Sequence, residues 1–94
     1  MNLEFEANKR IRILREHLKM GRTEFGEKVG LNRQNLQNIE LEKQKAPAWL
    51  IETIAKQWKE YGYWVATGLT IADAGQISPE LEEMRNQQNL KTGT

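Results

Sequence analysis

Apolar residues recur at spacings of three and four along most of this chain, the mark of helices that each bury one stripe. Ile11, Leu14 and Leu18 predict a first helix over 8–19, with Asn8 as its N-cap. Phe25 and Val29 share one face of a second helix that starts at Arg22. Gly30 can take the positive φ of a sharp turn, and Asn32 has the side chain to cap the next helix. Leu36 and Ile39 form the inner stripe of that third helix, closing at Glu40. Pro47 suits the first turn of a fourth helix reaching about Lys59, with Trp49, Leu50, Ile54, Ala55 and Trp58 as its stripe. A short fifth helix, 61–67, carries Tyr63, Trp64 and Val65 and stops at Gly68. Before these, residues 1–7 read as an irregular lead-in, or as a short strand, since Leu3 and Phe5 alternate with polar residues.

The pattern predicts an all-α fold: a compact bundle of five short helices over residues 1–70, with a helix, tight turn and second helix at its centre. Residues 71–94 differ in character. Ser78-Pro79-Glu80 has the order of a helix start. Leu81, Met84 and Leu90 give that helix only a thin apolar edge, too little for a stable helix alone. The tail is therefore read either as disordered or as packed on something, a second subunit being the obvious candidate for a dimerisation helix.

The outer face of the third helix is unusual. Arg33, Gln34, Asn35, Gln37 and Asn38 give it one charge, four amides and no hydrophobic residue. Solvated helix faces are ordinarily rich in Glu and Lys, whereas the Asn amide competes for the backbone and costs roughly half a kcal/mol relative to Ala. Arginine and amides are also the side chains that read base edges in the DNA major groove, Arg on guanine, Gln and Asn on adenine. The turn and the surrounding helices favour that reading over a plain polar surface.

Composition changes this picture little. Ninety-four residues, 38% hydrophobic and 29% charged, suit one small globular domain with a modest core. There is no cysteine, so no disulfide framework and no thiolate metal site. No stretch approaches the roughly 20 apolar residues of a membrane span. MNLEFEANKR lacks the order of a signal peptide, which makes the cytoplasm the default compartment. Net charge is +1, but its distribution is uneven. Residues 1–70 hold 12 basic and 9 acidic side chains, residues 71–94 hold 2 and 4. The folded part is mildly basic and the tail mildly acidic.

Enzymatic chemistry finds no foothold. The single histidine, His17, is placed on the outer side of the first helix as a solvated residue, with no catalytic arrangement near it. Acidic residues lie singly along helices, and no phosphate loop or dinucleotide glycine pattern occurs. No metal or cofactor is expected. Arg22 stands out, because a cation at a helix N-terminus opposes the macrodipole. It is either a phosphate contact or a solvated arginine on a frayed turn.

These segments together resemble the Cro/CI-like helix-turn-helix regulators of phages and bacteria, the XRE family. The resemblance covers about residues 8–68. It rests on R-I-R-I-L-R in the first helix, E-F-G-E-K-V-G-L-N across the second and third, Ile39-Glu40, Pro47, Ile54-Ala55 and Trp64-x-x-x-Gly68. It implies a lambda-repressor-like DNA-binding domain whose third helix lies in the major groove. Arg33, Gln34, Gln37 and Asn38 match base-facing positions; Arg22, Asn35, Lys43 and Lys45 match positions at or near the phosphates. Arg15 and Glu40 match a partly buried salt bridge between the first and third helices. Two positions depart from the pattern: Gly26 stands where the family usually has alanine, and Glu42 where it usually has glycine. The latter suggests a differently shaped loop.

The resulting expectation is a transcriptional regulator, a repressor in type, that binds a palindromic operator on double-stranded DNA as a homodimer, with half-sites about one helical turn apart. The competing expectation is an antitoxin-like or adaptor module that holds a protein partner through the C-terminal region. Trp49, Trp58 and Trp64 could supply that surface, or fill the core of a small fold.

Overall fold

Leu36 and Ile39, assigned to the inner side of the third helix, are fully buried, and the rest of the core gathers round them. A computed structural model describes residues 3–92 of the chain. Its α-helices are α1 (Glu6–His17), α2 (Arg22–Val29), α3 (Arg33–Glu40), α4 (Ala48–Gln57), α5 (Gly62–Thr67) and α6 (Pro79–Thr92). Short 3-10 turns occur at Leu3–Phe5, Lys59–Tyr61 and Ala72–Ala74. The architecture is compact and all-α, with no strand among the described residues. Ile11, Leu14, Phe25, Val29, Leu36, Ile39, Leu50, Ile54, Tyr61 and Val65 make one core drawn from the first five helices and the turn before α5. Trp58 lies against it, stacked on Phe25 with ring centroids 5.1 Å apart. No helix among the described residues is long and apolar enough to cross a membrane.

From Leu3 on, the lead-in is a 3-10 turn running straight into α1, neither irregular chain nor strand; residues 1–2 lie outside the described residues. Consequently Asn8 does not cap α1. It sits inside the helix, fully buried, and its amide works at long range. Nδ2 donates to the carbonyls of Ile39 and Gln44, each at 2.8 Å, and Oδ1 accepts from the Ala46 N–H at 3.1 Å. One side chain thus satisfies three backbone groups where the chain leaves α3 and turns toward α4. Without it these groups would lose their protein partner, and the Ile39 carbonyl would do so inside the core.

The α2–α3 connection arises from local chemistry. Gly30 takes φ +85° and ends α2. Asn32 caps α3, its side chain accepting from the Asn35 N–H at 2.8 Å. Gly26 has a packing reason. A Cβ there would fall well inside contact distance of the Leu31 carbonyl, so the turn presses on the α2 backbone. α1 and α3 end alike, with Lys19 (φ 59°) and Glu42 (φ 62°) in the left-handed region that favours glycine. In each case the next N–H reaches back to the helix, Met20 to Arg15 and Lys43 to Asn38. The loop at Glu42 thus holds a glycine-like backbone with a glutamate in it.

The segment from Ile71 to Glu82 is tied to the bundle. Ile71 and Gln76 form an isolated antiparallel bridge. The Gln76 side chain accepts from the Tyr63 N–H and donates to the Lys59 carbonyl. Ile77 packs against the core and donates its N–H to the Glu60 carbonyl at 2.8 Å. Ser78, as its sequence suggests, caps α6 by accepting from the Leu81 N–H. The protein measures 44 × 25 × 25 Å along its principal axes.

Two substitutions test this account. Asn8→Ala strands three backbone groups and should cost about 2–4 kcal/mol by chemical denaturation. Gly26→Ala gains about 1 kcal/mol in helix propensity, yet the clash with the Leu31 carbonyl makes the expected result a lower Tm. A raised Tm for Gly26→Ala would show that the α2–α3 turn is looser than described.

Candidate nucleic-acid interface

The outward side of α3 begins at its cap. Arg33, Gln34 and Asn35 are exposed, and Gln37 and Asn38 are half-buried. These are the residue types that bond to base edges. Gln34 and Asn38 are one helical turn apart, and Gln34 Nε2 donates to Asn38 Oδ1 at 3.1 Å. The two amides therefore present one joined polar surface. The eight residues of α3 span about 12 Å, a length comparable to the width of the B-DNA major groove.

The remaining polar side chain of α3 is Glu40, and it turns the other way. Its side chain is fully buried between two arginines. Arg15 grips it bidentately, Nε to Oε2 at 2.6 Å and Nη2 to Oε1 at 3.0 Å. Arg22 adds Nε to Oε1 at 3.1 Å. Arg15 also donates Nη1 to the Met20 carbonyl at 2.9 Å, tying down the end of α1. The bond to Glu40 raises Arg15 above its ordinary value, and nearby carboxylates reinforce this against the opposing effect of burial. One carboxylate thus links α1, the N-terminus of α2 and the C-terminus of α3. It also leaves the outward side of α3 without negative charge.

Arg22 is accordingly neither solvated nor frayed. Its Nε is committed to Glu40 and its side chain is mostly covered. Lys43 and Lys45 lie exposed in the loop that Asn8 pins from beneath. Lys9 pairs with Glu42 at 3.9 Å and with Glu6 at 3.5 Å, contacts of the exposed kind that add little stability. The structure therefore brings Arg15, Arg22 and Glu40 into one cluster behind α3 and sets Arg33, Gln34 and Asn35 on its outer side. Nothing in the local pattern around Asn8 marks it as the residue that holds the loop after α3; only its three distant partners do.

The tryptophans divide. Trp58 and Trp64 pack against the core, whereas Trp49 is 46% exposed at the start of α4. His17 is not a solvated residue of α1. It is largely buried between α1 and α6, next to Tyr61, Glu82 and Glu83. Among the described residues no cluster of three or more His, Cys, Asp or Glu side chains has the arrangement to hold a metal ion.

Removing one member of the Glu40 cluster should leave buried charge uncompensated. Glu40→Ala and Arg15→Ala are each expected to cost about 3–5 kcal/mol in chemical denaturation. Arg22→Ala should cost clearly less, because Arg15 still holds the carboxylate with two bonds. Unchanged stability in the first two would remove the cluster from its place in the fold.

No protein-family model matches the chain, and no curated protein matches it.

Proposed function

We propose that this protein is a sequence-specific DNA-binding transcriptional regulator of the Cro/CI-like type. In this reading α2, the Gly30–Asn32 turn and α3 form the helix-turn-helix, and α3 enters the major groove. The observation that carries it is the composition of α3's outward side: arginine and amides only, with Glu40 turned inward onto Arg15 and Arg22. Arg33, Gln34, Gln37 and Asn38 read base edges, Arg33 suited to guanine and the amides to adenine. Arg22, Asn35, Lys43 and Lys45 contact phosphates and fix the register without reading sequence. With Arg22 Nε held by Glu40, its phosphate contact falls to the terminal amino groups.

A domain of this size presents a single α3, so specificity over a full operator calls for two copies. The protein binds as a homodimer to a palindromic site, with half-sites about one turn of DNA apart, and acts as a repressor by occupying it. The alternative, a protein-binding antitoxin or adaptor, draws on the aromatic C-terminal half. Engagement of Trp58 and Trp64 with the core leaves Trp49 as the exposed tryptophan for that role, which favours the DNA reading.

The test separates base contacts from phosphate contacts. On its preferred duplex, Arg33→Ala or Gln34→Ala should lose about 1–3 kcal/mol of discrimination at one position per half-site. Arg22→Ala should weaken preferred and random duplexes alike and lower the salt dependence. Equal losses on both duplexes for Arg33→Ala, by fluorescence anisotropy, would contradict the assignment of α3.

A further inference from the structure

α3 ends at Glu40, but the helical path runs one residue further. Leu41 keeps near-helical backbone angles, φ -85° and ψ 6°, and its N–H donates to the Gln37 carbonyl at 2.9 Å. It lies three residues past Asn38, four past Gln37 and seven past Gln34, so its side chain belongs to the same row of the helix surface. That row is the outward one. Leu36, Ile39 and Glu40, which turn into the core or onto the arginines, lie on the opposite side. The left-handed turn comes only after Leu41, at Glu42, whose carboxylate is drawn to Lys9 at 3.9 Å.

Leu41 is thus a 45% exposed leucine at the end of a surface otherwise built from arginine and amides. It takes no part in the core. The helix is closed here by backbone bonds, Glu42 to Ile39 and Lys43 to Asn38, which ask nothing of the side chain at position 41. In the major groove the base edges are donors and acceptors, and the C5-methyl of thymine is the apolar group among them. Three residues of helix advance about 4.5 Å, close to the roughly 3.4 Å between successive bases of one strand. An apolar side chain one turn beyond Asn38 therefore falls about one base step from the base that Asn38 reaches.

We propose that Leu41 is a further specificity-determining residue, selecting thymine by covering its 5-methyl group in the major groove. This rests on the reading of α3 as the base-reading helix, and adds the kind of base contact that arginine and amides do not make. Before binding, the leucine and the methyl group are both in contact with water. Bringing them together removes apolar surface from water on each side. Cytosine carries hydrogen in place of that methyl, so the contact discriminates between the two pyrimidines without any hydrogen bond. Burial of one methyl group corresponds to about a fourfold gain in affinity.

Deoxyuridine lacks only that methyl and pairs with adenine in the same way, so it tests the contact directly. A duplex is first selected from a random pool with the intact protein, and its thymines are then replaced by deoxyuridine one at a time. Fluorescence anisotropy should show the wild type losing about fourfold in affinity at one thymine of each half-site. Leu41→Ala, with an unchanged Tm, should bind the thymine and deoxyuridine duplexes equally at that position, whereas Arg33→Ala should keep the methyl preference. A converged site with no methyl-sensitive thymine, or a Leu41→Ala variant that keeps the full preference, overturns the role of Leu41 and leaves α3 as the reading helix. A pool that does not converge overturns both.

Discussion

The buried Glu40 carboxylate is the constraint on which the rest of the structure depends. An eight-residue helix containing three asparagines, counting the cap, has no stability of its own. α3 exists because Leu36 and Ile39 enter the core and because its last residue is clamped by Arg15 and Arg22. The same clamp fixes how α2 and α1 approach it. A buried charge without partners is costly, so the three helices must arrive together for the carboxylate to be tolerated at all. Replacing the cluster with apolar residues could be equally stable. What the ionic arrangement adds is a defined orientation, with hydrogen-bond geometry on both sides of one carboxylate.

Asn8 does for the chain after α3 what Glu40 does for α3 itself. Its amide holds the Ile39 carbonyl at the helix end and the Gln44 and Ala46 backbone beyond it. The exposed side chains on either side, Arg33 to Asn35 before and Lys43 to Lys45 after, hang on a backbone that is fixed from within. A surface held this way loses little further freedom on binding, and that preorganisation favours affinity.

The helices are legible in the sequence wherever their causes are local. Gly30, the Asn32 cap, the Leu36–Ile39 stripe and the Ser78 cap all act within four residues of themselves. Asn8 misleads for the same reason: an asparagine before an apolar-periodic run has the form of an N-cap, and only partners more than 30 residues away reveal its role. His17 reads as solvated because its neighbours are distant in sequence: Tyr61 comes from the turn before α5, and Glu82 and Glu83 come with the return of α6. Glu42 suggests a reshaped loop, yet the backbone bonds that end α3 impose the left-handed conformation on a glutamate. The family resemblance rests on the sequence motifs alone. What the structure shows, apart from any family, is the inward turn of Glu40 and the arginine and amide surface left outside.

The most direct measurement is selection of binding sites for the intact protein from a pool of random duplexes. If the outward side of α3 reads bases, the pool should converge on a palindrome whose half-sites contain guanine and adenine positions about one helical turn apart. Its affinity should fall steeply with salt while staying well above that for random DNA. A pool that does not converge, with only weak salt-sensitive binding, would show that the arginine and amides of α3 do not read sequence, and the central claim would be wrong.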